Sequence, residues 1–393
     1  MLTAGLLMGL ALMSAAGSLA TDMYLPSLVG MTRELHTSSS LAQFTLSAFM
    51  VGMAIGQLVI GPVSDVHGRR RLMIGGSVVF LLSSLAAAFV DSVWLLIGLR
   101  VAMGFAGGTG PVVSRAIIAD LARGREAARA FSVMMAIQGL APVVAPILGG
   151  QLAGPIGWRG IFVVLAGFNL AMVLVAVLLV PESLPAERRA EPGLARLAPS
   201  FAQVLGDRVF VGHALSMAIT FGVMFGYISA SPFVLEKQLG LRSSTYSLAF
   251  AGNAVMVILA SLLNSRLIRN HELVRIARSG MAMTVCGSLG LLLNGIAGPR
   301  LWPTLGLLAF SVFGVGLVLG NTTALGAAQV PHAAGAGSAV MGAAQFLVAG
   351  IVSPLVGLGA DAAVSMAVVM LACAVGANLC HYGLAGAGRH GLG

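Results

Sequence analysis

"PESLPAERRAEPGLARLAPSFAQVLGDR", residues 181–208, is the longest polar interval in this chain. It carries proline and charge with little apolar periodicity, which marks a linker rather than a packed element. On either side the sequence turns apolar. Before the interval, long apolar windows run roughly over 3–29, 40–62, 72–90, 93–114, 131–153 and 159–180. After it they run over 209–233, 244–265, 275–297, 301–324, 334–357 and 361–383. Each is near the roughly 20 residues that a helix needs to cross the hydrocarbon of a bilayer. Six windows, a linker and six more predict an all-α integral membrane protein of twelve transmembrane helices in two six-helix bundles. The bundles are 1–180 and 209–393, and part of the 181–208 linker reads as a short surface helix.

Composition agrees. Of 393 residues, 58% are hydrophobic and 9% charged, against about 25% charged in a soluble domain. Such a chain cannot cover itself with polar surface in water, so its expected partner is the lipid bilayer. The net charge of +9 does not signal nucleic acid, which needs a basic stripe on one soluble face. Here the basic residues lie in short gaps between apolar windows. Lys237 is the only lysine among many arginines, and with abundant Ala, Gly and Val this suits a GC-rich bacterial genome. With the N-terminus placed inside, only Arg33, Arg159, Lys237, Arg242 and Arg300 fall on the outer side. Every other basic residue falls in an inner gap, except Arg100 within a span. This positive-inside bias places both termini in the cytoplasm. The first window lacks a basic n-region and runs on past residue 22, so it reads as a span rather than a cleaved leader. Cys286, Cys373 and Cys380 all lie in apolar windows without metal-ligand spacing, and neither metal nor cofactor is expected.

The gap after the second window reads "GPVSDVHGRRR", residues 61–71. Gly61 and Gly68 permit a tight turn, and Asp65 offers a carboxylate suited to a helix N-terminus. Window 4 contains Arg100, followed at Gly104 and Ala106-Gly107-Gly108 by small residues that allow close helix packing. Window 5 reads "GLAPVVAPILGG", with Pro142, Pro146, Gly149 and Gly150.

These stretches resemble the motifs of the major facilitator superfamily. Gly61, Asp65, Gly68, Arg69 and Arg70 match its signature loop between spans 2 and 3, with Val66 where a basic residue is usual. Arg100 and Gly104 match a span 4 motif. Pro146, Gly149 and Gly150 match a span 5 motif found mainly in exporters, with Ala141 and Ala145 replacing glycines. "TDMYLPSL" (21–28), "RAIIADL" (115–121) and "YISASPFVLEKQLGLRSSTYSLAFAGNAV" (227–255) are similar to the bicyclomycin- and chloramphenicol-resistance branch of drug/proton antiporters (Bcr/CflA type). The resemblance implies the major facilitator fold and a monomer in the bacterial cytoplasmic (inner) membrane. It implies that Asp65 latches the two bundles, with Arg69 meeting Asp120 at the inner end of span 4. It also implies proton-coupled export of small antimicrobial compounds such as phenicols or bicyclomycin by alternating access.

Asp22 and Arg100 are the clearly ionisable groups at membrane depth. Each lies about seven residues from the outer end of its span, on the order of 10 Å deep. An ionisable residue inside a membrane reads by default as functional. Asp22 suits a proton-coupling carboxylate whose state answers to hydration, to Arg100 and to bound substrate. The other reading is a structural Asp22–Arg100 pair in a carrier that imports or equilibrates a metabolite. Tyr24, Gln43, Phe44, Gln138, Tyr227, Asn253 and Gln345 are candidate substrate contacts, and methionines suit an adaptable lining. No His/Glu/Asp cluster or paired nucleophile falls within the spans, so an enzyme is not expected. His213 stands alone near the start of span 7. An ATP-driven pump is excluded by the missing P-loop lysine.

Overall fold

The computed structural model describes residues 3–189 and 198–385. The middle of the linker, with Arg196, and the tail bearing Arg389 lie outside the described residues. Every regular element among the described residues is helical. The chain divides into two compact units, Met1–Gly193 and Leu194–Gly393.

In the first unit, span 1 is Ala4–Glu34, span 2 Ser39–His67, span 3 Arg69–Ala87 and span 4 Val93–Leu121. Gly124–Leu178 is one continuous helical stretch interrupted at Gly157, whose φ is +64°. The interruption divides it into span 5, 124–156, and span 6, 158–178. A left-handed residue without a Cβ redirects the chain in a single step, so the loop expected near 154–158 is absent. In the second unit, span 7 is Arg208–Gln238, span 8 Ser243–Leu267, span 9 Leu273–Ile296, span 10 Leu301–Ala327, span 11 Gly335–Leu355 and span 12 Ala362–Ala385. The surface helix expected in the linker is Ala198–Gly206.

Local chemistry sets several of these starts. A helix begins with orphan N–H groups that a short polar side chain can accept from. Thr3 caps Leu6 N–H at 3.2 Å, Ser38 caps Leu41 at 3.1 Å, Asp207 caps Phe210 at 2.8 Å and Asp361 caps Val364 at 2.9 Å.

The spans pack with their small and medium apolar faces inward. Leu10, Ile60, Met73, Ile117, Met134 and Met172 meet in the core of the first unit, bringing in all six spans. In the second unit Val204 of the surface helix packs with Phe210, Met217 and Met341. Large apolar side chains such as Leu82, Phe89, Leu178, Leu293 and Leu379 stay exposed. In water that would drive aggregation; against lipid it is the expected outer surface. Trp94 and Trp302 are exposed in the first turns of spans 4 and 10, a place where an amphipathic ring suits the membrane–water boundary.

Candidate functional site

Pro26 breaks span 1. It has no N–H to give the Asp22 carbonyl, and its ring crowds that carbonyl. The first helix therefore ends at Asp22, a short 3-10 turn covers Leu25–Ser27, and helix resumes at Leu28–Glu34. The break frees backbone carbonyls inside the bundle, where each needs a donor.

Arg100 of span 4 supplies one. Its side chain is fully buried. Nη1 donates to the Ala20 carbonyl at 3.1 Å and Nε to the Thr45 carbonyl of span 2 at 3.2 Å. The guanidinium lies 4.5 Å from the Phe49 ring centre, 5.0 Å from Tyr24 and 6.0 Å from Phe162. Aromatic faces stabilise a cation that water no longer reaches. The Tyr24 hydroxyl lies 3.2 Å from Thr45 Oγ1, and its ring sits 5.2 Å from Phe162. Nη2 has no hydrogen-bond partner.

The structural Asp22–Arg100 pair of the alternative reading does not form among the described residues. The Asp22 side chain is buried, at 6% exposure, yet no ion pair or hydrogen bond engages its carboxyl among the described residues. Two arms of Arg100 are held by backbone carbonyls and its faces by rings, so the cation is engaged without the carboxylate. Matching depth along two helices placed both groups in one layer; the helix break decided which atoms meet. Gly149 of span 5 packs onto the same break. A Cβ there would collide with the Met23 carbonyl oxygen, so the backbones touch where only glycine fits. Gly150 is buried beside it, and Pro142 and Pro146 lie inside the helix.

The other candidate contacts do not gather into one group. Gln43 is buried while its neighbour Phe44 is exposed. Gln138 Nε2 reaches the Ser14 carbonyl at 3.5 Å. In the second unit, Asn253 Nδ2 donates to the Tyr227 hydroxyl at 2.9 Å, and Tyr227 stacks on Phe250 at 5.5 Å. Gln345 is half-buried on span 11, next to Phe346, which meets Phe221 edge-on. Thr45, Phe49 and Phe162 line Arg100 and were not singled out in the sequence, where they look like ordinary packing residues.

The 61–71 stretch is more helical than its composition suggests. Span 2 continues through Gly61 and Pro62 to His67, so Gly61 makes no turn. The whole reversal falls on Gly68, at φ +93°. Asp65 is not the cap of the next helix; it pairs with Arg69 at 2.6 Å across the turn. The cap is Glu182, just past span 6, whose Oε1 accepts the Arg69 N–H at 2.9 Å. Its carboxylate occupies the space a Cβ on Gly68 would need. Arg69 Nε lies 3.4 Å from Asp120 Oδ2, as the resemblance implied, and the Ser183 hydroxyl donates to the same oxygen at 2.7 Å. Arg70 Nη2 donates to the Val177 carbonyl at 2.7 Å. One clasp at this end of the unit thus ties spans 2, 3, 4 and 6. Its only forewarning for Glu182 was an acid directly after Pro181. A second clasp closes the opposite end of the unit. Trp158 Nε1 donates to Glu34 at 2.6 Å, and Arg159 bonds Glu34, Asp91 at 2.7 Å and the Val90 carbonyl.

Twelve apolar spans around buried ionisable groups define a multi-pass membrane protein. The sequence profile described as Major Facilitator Superfamily matches residues 10–354, and the chain belongs to that family. It is 36% identical to an uncharacterized MFS-type transporter, YdgK, of Bacillus subtilis (strain 168), over 95% of this chain and 94% of that protein. It is 29% identical to a bicyclomycin resistance protein homolog of Haemophilus influenzae, over the same shares of the two chains. The fold is similar to the crystal structure of a bacterial homolog of the human lysosomal transporter Spinster, in an inward-facing and unoccupied conformation. The TM-score is 0.76 at 17% identity, covering 98% of this chain and 96% of that one.

Proposed function

We propose that this protein is a proton-coupled exporter of small antimicrobial compounds, phenicols or bicyclomycin among them, in the bacterial cytoplasmic membrane. Both termini face the cytoplasm, and the monomer is the working unit. The observation that carries this reading is Asp22: a buried carboxyl at the break of span 1, with no cation or hydrogen-bond donor engaged to it among the described residues. A carboxyl tied to Arg100 would serve packing. One left unpaired can take up and release a proton as the site is wetted or filled. A drug that displaces that proton couples its own binding to proton release, and rocking of the two units converts the coupling into exchange. Arg100, Tyr24 and the span 5 residues Pro142, Pro146, Gly149 and Gly150 hold the shape of the break. Gly68, Arg69, Arg70, Asp65 and Asp120 hold the inner end of the unit. The similarity to a bicyclomycin resistance protein homolog supports the substrate class.

The test uses inside-out membrane vesicles energised to an acid interior, with a pH-quenched dye, and drugs added one at a time. We expect drug-driven proton release from the wild type and at least tenfold less from Asp22→Asn at equal protein in the membrane. Equal release from both would reduce Asp22 to a structural residue. Silence of the wild type across a broad drug panel would favour a metabolite carrier.

A further inference from the structure

Spans 9 and 12 lie side by side and run in opposite directions. Gly295, near the end of span 9, packs onto Val364, near the start of span 12. Toward their other ends, the Arg278 guanidinium of span 9 lies 4.8 Å from the centre of the Tyr382 ring of span 12. Each span presents an exposed stripe. On span 12, Val375, Leu379 and Tyr382 are exposed, each three or four residues after the last, which sets them on one helix face. On span 9, Leu289, Ala282 and Arg275 are exposed at intervals of seven residues, again one face. Both stripes are apolar along the span and turn polar at the same end. Exposed apolar side chains on a spanning helix face lipid tails. The polar ends therefore lie where tails give way to headgroups.

That end carries excess positive charge. Between Asn264 and Gly280 the chain has Arg266, Arg269, Arg275 and Arg278 against one acid, Glu272. The first three arginines are exposed. Glu272 meets Arg275, 3.4 Å from its Nε. Arg278 is half-buried, and its guanidinium is engaged by the Tyr382 ring without an ion pair among the described residues. Its Nε is shut off from solvent and has no hydrogen-bond partner. A guanidinium presents a fork of donors that matches the oxygens of a phosphate. Held flat on a ring with a donor unmet, it is an incomplete arrangement. The sign of the charge selects the occupant. A zwitterionic headgroup would bring an ammonium close to these arginines, whereas an anionic headgroup brings only the complementary charge. Tyr382, apolar in its ring and polar at its tip, suits the same boundary.

We propose that the groove between spans 9 and 12 is a binding site for an anionic phospholipid. The phosphodiester oxygens accept from Arg278 and Arg275, the Tyr382 ring holds the Arg278 guanidinium toward them, and the acyl chains lie along the two apolar stripes. The site is separate from the Asp22 chemistry and lies wholly within the second unit. It ties that unit to the charge of the surrounding lipid.

The experiment is native mass spectrometry of the full-length protein in detergent, titrated separately with dioleoyl phosphatidylglycerol and dioleoyl phosphatidylcholine. We expect the first phosphatidylglycerol to bind about fivefold or more tighter than phosphatidylcholine. Arg278→Gln should remove most of that preference. Arg300→Gln, at an exposed arginine before span 10, should leave it unchanged. If Arg278→Gln fails to insert, Arg275→Gln and Tyr382→Leu carry the test, each lowering the preference about twofold or more. Three results would overturn the proposal. The two lipids bind equally, or Arg300→Gln loses as much as the groove variants, or glycerol phosphate displaces the lipid at equal concentration, which would assign the groove to a soluble anion. The readout needs neither drug nor proton gradient, so its failure leaves the exporter reading intact.

Discussion

The interiors of the two units solve the same problem with different chemistry. Both bury polar groups in a bundle where water is scarce. The first unit uses ions: a buried arginine among rings and carbonyls, an unpaired carboxyl, and charged clasps at both ends. The second uses neutral partners. Tyr227 meets Asn253 at 2.9 Å, Ser229 meets Ser353 at 2.7 Å, and Asn321 meets Asn264 at 2.7 Å. It also carries an exposed Arg275–Glu272 ion pair. The contrast teaches where work on charge can be done. A neutral hydrogen bond between helices contributes modestly and does not respond to protons at ordinary pH. A buried charge is costly when its partners are lost, so its environment governs which states are populated.

The contrast predicts a gradient of mutational cost, measurable by thermal or denaturant unfolding in detergent. Arg100→Ala stands at the top. It empties the aromatic cage and leaves the Ala20 carbonyl without a donor, for a loss of about 3–5 kcal/mol. A loss under about 1 kcal/mol would mean that the helix break supports itself. Glu182→Ala comes next, since it removes the cap from span 3 and the filling beside Gly68, at a cost of about 1–2 kcal/mol. Glu182→Gln, which still offers an oxygen to the Arg69 N–H, should recover part of that loss. Equal damage from both would assign the effect to charge and not to capping. Tyr227→Phe is the smallest. It removes one neutral acceptor from Asn253 for about 1 kcal/mol and leaves the stacking on Phe250 in place. Should it cost more than Glu182→Ala, the division of labour between the two interiors is wrong.

Much of the molecule could be read from the chain. Span number followed from window length, because a bilayer demands about 20 apolar residues whatever the neighbours are. The Arg69–Asp120 contact followed from the family's pattern at 61–70. Errors fell where backbone continuity outweighed composition. Ser64, Asp65 and His67 look like loop residues, yet the helix runs on to Gly68, where the reversal costs a single residue. The 124–178 stretch hides its division in the φ of Gly157. Asp361 and Asp207 were visible only as charges at span ends, and the structure makes them caps.

The sequence alone determined that this chain lives in a membrane, that it crosses twelve times, and that Asp22 and Arg100 lie at depth. Those properties depend on composition and spacing, which act locally and need no knowledge of neighbours. Only the tertiary structure decided what each charge meets. Pro26 opens carbonyls in span 1, spans 2 and 6 bring Phe49 and Phe162, and Gly149 closes the far side. Two arms of Arg100 are engaged by that assembly and Asp22 is left unpaired. No one-dimensional pattern encodes that result, because the partners come from four different spans and are chosen by distance.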